Sequence, residues 1–460
     1  MRKTAAVVVA VLIGVAVVAG SASYWLGMRA RQSYAALLQQ VAQNSGFGVS
    51  YLHFQNGWLA STATATLTPP GFPADISVTS RIRPGPFPEL AHLGFMPGMA
   101  SVTTQIRVIS KALVNFQPIT AHTMIYLAGN SVTRLSIPAF RRGAPGAKGF
   151  GWLPANGEII ATAGSKTVTG IINFPEAQIF NPRSSVTLSQ ATFRWARPPG
   201  TSDSGQASLS AQRISKTGAS SQFAIDGLRI TLWHQRRLSN VAARIKIQVQ
   251  MVNDGISSYG PGQILLRIDN LDGVSLDAFG RAVRVLAARR LPPDRLGAVM
   301  LARTSGLLRA QARKKPKFTI ASLAFKAVGS NVVGKGGFVL DGTDIDGPDY
   351  SALLLRAMNG SFELLVPRAV VANVATDEIH HQLDRYKAQG ILTPAEAGKL
   401  TNQRVADIIR NALPMYMNRI AARWHLVSAG ADYMLTAAIH GGHLTINGQP
   451  AEMGESAHGP

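Results

Sequence analysis

The nine residues RIKIQVQMV at positions 244–252 carry the clearest strand pattern in the chain. Apolar and polar residues alternate strictly from Arg244 onward. A period of two places successive side chains on opposite faces of a β-strand. One face is therefore predicted to be hydrated, and the other to pack in a core or line an apolar groove. The members of this candidate apolar face are Ile245, Ile247, Val249 and Met251.

The same alternation recurs through residues 47–271, which are rich in Val, Ile, Thr and Ser and are interrupted by Gly and Pro. It is clear at 102–108, 228–232 and 263–269. Many strands with one apolar face and no intervening helix indicate an antiparallel sheet covered on one side, and they argue against alternating βαβ units. The predicted fold class is α+β and predominantly antiparallel β, with an extended or curled β-rich domain covered by amphipathic helices.

Two basic amphipathic helices are predicted to follow the strands. The first begins with Ser275 as its cap, and the second spans about 295–314. Such helices either cover a sheet or lie on a membrane surface. The predicted boundaries are a β-rich domain at 28–271, a helical segment at 272–316 and an α+β part at 317–460 that completes the sheet.

Residues 5–27 form an apolar run without a charged side chain, long enough to cross a bilayer. Arg2 and Lys3 precede it, which predicts a short cytoplasmic end at 1–4 and an exported domain after the run. The alternative is a cleaved signal peptide, because small residues near the end of the run could support cleavage. The expected location is the bacterial inner membrane, with the large domain in the periplasm.

Composition narrows the possible chemistry. The 460 residues include no cysteine, which excludes disulfides, thiolate metal sites and cysteine nucleophiles. The formal net charge is +22, from 46 Lys plus Arg against 24 Asp plus Glu. The basic residues are scattered along the chain, so we predict a solvated basic surface and no nucleic-acid partner.

Four segments have motif-like sequences: FQNGWLAS at 54–61, GPFP at 85–88, GQILL at 262–266 and LTINGQP at 444–450. In this order the set resembles the bacterial YdgA-like family of envelope proteins, domain of unknown function family 945. The resemblance implies a single inner-membrane anchor and a mostly β periplasmic domain, and it supplies no activity or catalytic residue. Asn56 stands where the family has Arg, and Pro84 where it has His.

The two best motifs are interpreted as structural. A glycine before a tryptophan permits a bulge with the indole packed across a sheet. A Gly-Pro-Phe-Pro sequence favours a rigid turn with one buried ring. The candidate motif positions are Phe54, Gly57, Trp58, Gly85, Pro86, Phe87 and Pro88.

No pattern in the sequence nominates a catalytic centre. There is no His-Glu-x-x-His helix, no Gly-x-Ser-x-Gly elbow, no phosphate loop and no dinucleotide fingerprint. We therefore predict no cofactor, no metal and no enzymatic activity. The expected function is a binding or scaffold module of the cell envelope. The alternative is an amphiphile- or lipid-binding module with an apolar groove lined by strands, and the possible partners are the membrane, a lipid, an envelope protein and a second copy of the chain.

Overall fold

The computed structural model describes most of the chain between residues 48 and 451. The described ranges are 48–55, 60–68, 75–84, 100–110, 116–126, 128–144, 147–162, 167–197, 204–218, 222–255, 257–288, 293–342, 356–391 and 401–451. The predicted anchor at 5–27 and the end at 1–4 lie outside them. Within these ranges, no helix is both long enough and apolar enough to cross a bilayer.

The chain forms two compact units. The first contains the described residues up to Ala243 together with those of 272–310, and the second contains those of 244–271 and from 311 onward. The predicted β-rich, predominantly antiparallel class is confirmed, because every strand pairing with a described register is antiparallel.

Thirteen strands belong to the first unit. They are β1 Gly48–Gln55, β2 Ser61–Thr68, β3 Asp75–Pro84, β4 Ala100–Ile109, β5 Ile119–Ile125, β6 Ser131–Ile137, β7 Phe140–Arg142, β8 Gly149–Trp152, β9 Ala155–Ala161, β10 Val168–Asn181, β11 Ser184–Arg197, β12 Ser204–Gly218 and β13 Gln222–Arg237. Consecutive strands pair from β1 to β6, then β6 with β9, β9 with β10, and onward to β13. β8 pairs with the far half of β10, and β7 pairs with β8.

The core of the first unit lies on one face of strands β2 to β10. β4 shows why, because its buried and exposed residues alternate as its sequence predicts. Val102 and Ile106 are each 2% exposed, whereas Gln105 and Arg107 face water. An aromatic cluster packs against this core, with ring centroids 5.0 to 6.2 Å apart; its members are Phe116, Phe140, Phe150 and Trp152.

The second unit combines a sheet with two long helices. Its remaining strands are β14 Asn240–Val249, β15 Met251–Asn253, β16 Ser258–Asp272, β17 Lys317–Ala327, β18 Ser330–Leu340, β19 Met358–Pro367, β20 Val427–Ala429, β21 Asp432–His440, β22 His443–Ile446 and β23 Gln449–Pro450. Strands β16 to β19 pair in chain order, followed by β21, β22 and β23. β21 and β22 form a hairpin whose turn contains Gly441 and Gly442.

The four described helices are α1 Gly273–Ala288, α2 Pro293–Arg313, α3 Arg368–Ala388 and α4 Asn402–Arg423. In the second unit, α3 and α4 pack on each other and on strand residues in one apolar cluster. Val371 and Ala375 of α3 are 0% exposed, and Ile420 of α4 is 3% exposed. Pro414 lies inside α4, which continues past it to Arg423.

Two local predictions are wrong. Ser275 is not the cap of α1: the helix begins at Gly273, and Asp272 Oδ2 accepts a hydrogen bond from the Ser275 N–H at 3.0 Å. A carboxylate at this position satisfies an otherwise unpaired N–H of the first turn. The expected single strand at 244–252 is also interrupted, because β14 ends at Val249 and β15 begins at Met251.

Candidate functional site

One row of directly paired residues crosses eleven strands of the first unit. Its members in order are Phe54, Ala63, Ser80, Thr104, Ala121, Leu135, Gly157, Ile172, Phe193, Leu209 and Ile230. Residues paired across a sheet lie on the same face. Ala63 is 0% exposed and Ile172 is 2% exposed, but Phe193 and Leu209 are 40% and 39% exposed. The apolar face therefore continues past β10, and in this row the side chains beyond β10 are less covered, whereas Ala191 and Ala211 of the next row stay buried at 4% and 3% exposure.

The exposure of the side chains also rises along the neighbouring row. Ile159 on β9 is 1% exposed, and the row then runs through Gly170, Trp195 and Ala207 to Leu232, which is 37% exposed. We call the part of this face on β11 to β13 the apolar patch. Its members are Ala191, Phe193, Trp195, Ala207, Leu209, Ala211, Leu228, Ile230 and Leu232.

Polar rows bound the apolar patch at both ends. Beyond Trp195 the next residue on the same face is Arg197, and beyond Leu232 it is His234; both are exposed. At the other end, Arg213 and Asp226 are paired across β12 and β13 with an Nη1 to Oδ1 distance of 3.6 Å. Along the strands, the patch thus has a basic row at one end and the Arg213–Asp226 pair beyond the other end.

Strand geometry gives the size of the patch. From Ala191 to Trp195 is four residues, or about 14 Å along the strand, and two strand spacings add about 10 Å across it. The polar rows at Ser189 and Arg197 are eight residues apart, or about 27 Å. This area is far smaller than the roughly 800 Å² that each partner buries in a stable protein interface.

A glycine makes room for the largest ring of the patch. Gly170 is paired with Trp195, and a Cβ at position 170 would overlap the Trp195 indole. The indole therefore lies over the bare backbone of β10, where it stacks beside Phe193 with ring centroids 5.4 Å apart. Two aromatic rings held side by side form the broadest apolar surface of the patch.

The pairing and the alternation of apolar residues in β10 to β13 both change at one row that crosses these strands. Pro175, Gln190, Gln212 and Gly227 are skipped in the pairing of β10 to β13. Pro175 has no N–H to donate, while Gln190 and Gly227 have positive φ values of 48° and 63°. The apolar residues occupy the other alternation positions past this row. Three of them are largely exposed: Ile179, Val186 and Phe223.

The described residues also line a cavity in each unit, and both cavities have a mixed polar and apolar lining. In the first unit, a cavity of about 410 Å³ lies on the sheet face opposite the apolar patch and is lined by Glu158, Arg194 and Ser208 among others. In the second unit, a cavity of about 490 Å³ is lined by three carboxylates and His381. No group of His, Cys, Asp and Glu among the described residues could hold a metal ion.

The sequence profile of the family described as "Bacterial protein of unknown function (DUF945)" matches residues 1–453, nearly the whole chain. The chain belongs to this family. The resemblance stated from the sequence motifs is thereby confirmed at the level of the family. No curated protein and no solved structure matches this DUF945 protein, so the assignment brings a family without an assigned activity.

Of the seven candidate motif positions, only Phe54 lies in the described part of the structure. Phe54 lies at the start of the long row and packs against two core clusters of the first unit. The other motif positions, Gly57, Trp58 and 85–88, lie outside the described residues. Phe54 thus has a contact with the core, and the other motif positions stay predictions.

The candidate face at 245–251 lies in the second unit. Ile245, Ile247 and Val249 are half-buried on β14, and Val249 packs over Gly262 of β16. Met251, beyond the break in the strand, is 45% exposed. The role of this face in ligand binding stays a prediction.

The sequence reasoning missed most of the apolar patch. Leu228, Ile230 and Leu232 were recognised as one apolar face of a strand, and their register confirms that they share a face. β11 and β12 carry the same period-two signal, with Phe193 and Trp195 alternating with polar residues. The alternation could have located these residues, but it does not distinguish a covered face from an open one.

Proposed function

We propose that this DUF945 protein is a non-enzymatic, membrane-anchored protein of the bacterial envelope that binds the apolar chain of an amphiphile on the apolar patch. The observation that carries the proposal is the change in exposure along one row, from 2% at Ile172 to 40% at the adjacent Phe193. An exposed apolar area that continues a core and is rimmed by polar residues offers a surface on which an apolar ligand can lie.

The dimensions of the patch favour an apolar chain over a protein. Its width of about 10 Å spans three strands, which suits one or two hydrocarbon chains. Burying apolar surface contributes about 25 cal/mol per Å², so an area of about 140 Å², worked from the strand spacings, contributes roughly 3.5 kcal/mol. That value supports a weak, reversible ligand site, and it is too small for a stable protein complex.

The anchor and the envelope location rest on sequence. The uncharged run at 5–27 is long enough to span a bilayer and follows two basic residues. A retained anchor would hold the apolar patch near a source of amphiphiles. This part of the proposal is tested by a reporter fused after Pro460: activity only in the cytoplasm would contradict export.

Site-specific photocrosslinking of the full chain in bacterial cells tests the ligand. A photoreactive phenylalanine analogue replaces Phe193 in the patch, and the matched control replaces Phe325 of β17, which is 37% exposed in the second unit. We expect a small adduct of lipid mass at position 193 and none at 325. The adduct mass then identifies the amphiphile.

The same experiment separates the rival functions. A crosslinked product of twice the chain mass at 193 would indicate a homodimer, and a product with another protein would indicate an envelope scaffold. Either product, without a small adduct, would replace the amphiphile proposal. Equal small adducts at 193 and 325 would show nonspecific contact with lipid and would contradict a site at the patch.

A further inference from the structure

We infer that the ligand of the apolar patch is an anionic amphiphile whose headgroup lies at Arg197. The inference rests on the proposed function and adds the charge class of the ligand and its direction on the sheet. It follows from the different charge of the two polar rows that bound the patch.

Among the described residues, the row beyond Trp195 and Leu232 carries positive charge that no carboxylate pairs with. Arg197 is exposed at the end of β11 and makes no ion pair with any described residue. Gly205 is the next position across on β12, and it presents only backbone to this face. His234 completes the row, with its imidazole over Gly205: a Cβ on Gly205 would lie 2.7 Å from His234 Cε1. This end therefore offers a cationic group at Arg197 and a hydrogen-bonding imidazole at His234.

The opposite end does not offer the same attraction. The charge of Arg213 is balanced by Asp226 at 3.6 Å, and Glu176 lies in the same row. The three side chains carry a net charge of −1, which repels an anion. An amphiphile aligned with the strands therefore has its anionic headgroup at Arg197 and its chain over Trp195 and Phe193.

The expected contribution of Arg197 is modest because its side chain is exposed. Ion pairs in water are weakened by solvent and salt. We expect a three- to tenfold preference for a carboxylate over a neutral headgroup on the same chain, on the order of a surface charge-assisted contact. Added salt should reduce this preference.

The test uses the full chain held in an amphipathic polymer, with empty polymer subtracted. The probes are the fluorescent fatty acid cis-parinaric acid and the corresponding alcohol, which share one chain and differ in charge. We expect the acid to bind three- to tenfold more tightly. Arg197→Ala should remove that preference by weakening the acid alone, and Arg197→Lys should restore most of it.

Arg194→Ala is the matched control, because it removes the same charge from the same strand on the opposite face, at the cavity of the first unit. It should leave the preference for the acid intact. If Arg194→Ala removes the preference and Arg197→Ala does not, the headgroup lies on the other face and the inference is wrong. Equal binding of acid and alcohol by the unmodified chain also overturns it, while amphiphile binding stands.

If the proposed function itself fails, the results differ from those that contradict only the position of the headgroup. If neither probe binds and the photoreactive residue at 193 yields no small adduct, the patch is not an amphiphile site and the inference falls with it. If both probes bind and Phe193→Ser weakens both equally, the chain-binding part is supported, and the Arg197 variants alone decide the headgroup.

Discussion

Replacing two leucines of one sheet row by alanine tests whether the cover of the apolar face ends after β10. Leu135 on β6 is 3% exposed and Leu209 on β12 is 39% exposed. Both belong to the row that crosses the first unit. The chemical change is identical, so any difference between the two variants reports the surroundings of each side chain.

The expected magnitudes follow from burial. Leu→Ala removes three carbons, a transfer term of about 2.4 kcal/mol for a fully buried side chain. Leu135→Ala loses nearly all of this transfer free energy and leaves a cavity. We therefore expect a loss of about 3 to 4 kcal/mol in the free energy of unfolding. Leu209→Ala loses about three fifths of the transfer free energy, or roughly 1.5 kcal/mol. It leaves no closed cavity, because the site is open to water.

Hydrogen exchange of the full chain measures both variants. The chain has two compact units, so a whole-chain unfolding signal would mix them. Exchange of peptides from β6 and β12 reports the first unit alone. Leu135→Met and Leu209→Met serve as controls of similar volume, each expected to cost less than about 1.5 kcal/mol. If Leu209→Ala costs as much as Leu135→Ala in delipidated protein, the face at β12 is covered and the reasoning fails.

Two further substitutions test local packing. Gly170→Ala should displace the Trp195 indole and destabilise the first unit by about 1 to 3 kcal/mol, measured by exchange of β10 and by tryptophan fluorescence; an unchanged spectrum and stability would contradict the close contact. Asp272→Ala should destabilise α1 by about 0.5 to 2 kcal/mol through loss of its cap, measured by exchange of α1 amides. Ser275→Ala should destabilise α1 less than Asp272→Ala does. A larger loss for Ser275→Ala would indicate that Ser275 is the cap.

Much of the fold could be predicted from alternation. The strict pattern around Val102 predicts a strand with one buried and one hydrated face, as β4 has. The α1 start was misplaced because Asp272 and Ser275 are both good caps by residue type. The break between Val249 and Met251 had no signal, because the alternation runs through it unchanged.

The candidate site could not be predicted for a related physical reason. Val102 and Leu209 belong to equally regular alternating stretches, yet one is 2% and the other 39% exposed. Alternation reports only which side chains share a face. Whether that face meets other residues depends on which strands pair and how far the sheet extends, and these are properties of the whole chain.

The twist of the sheet limits what can lie on the apolar patch. Neighbouring strands are rotated by about 20–25°, so the two steps from β11 to β13 accumulate roughly 40–50°. A stiff rod aligned with Phe193 and Trp195 would diverge from Leu232, and a rigid polycyclic body would rest on one or two strands only. A flexible hydrocarbon can bend as the surface turns. Under the proposed function, we therefore expect the patch to bind flexible acyl chains more tightly than rigid sterol-like rings.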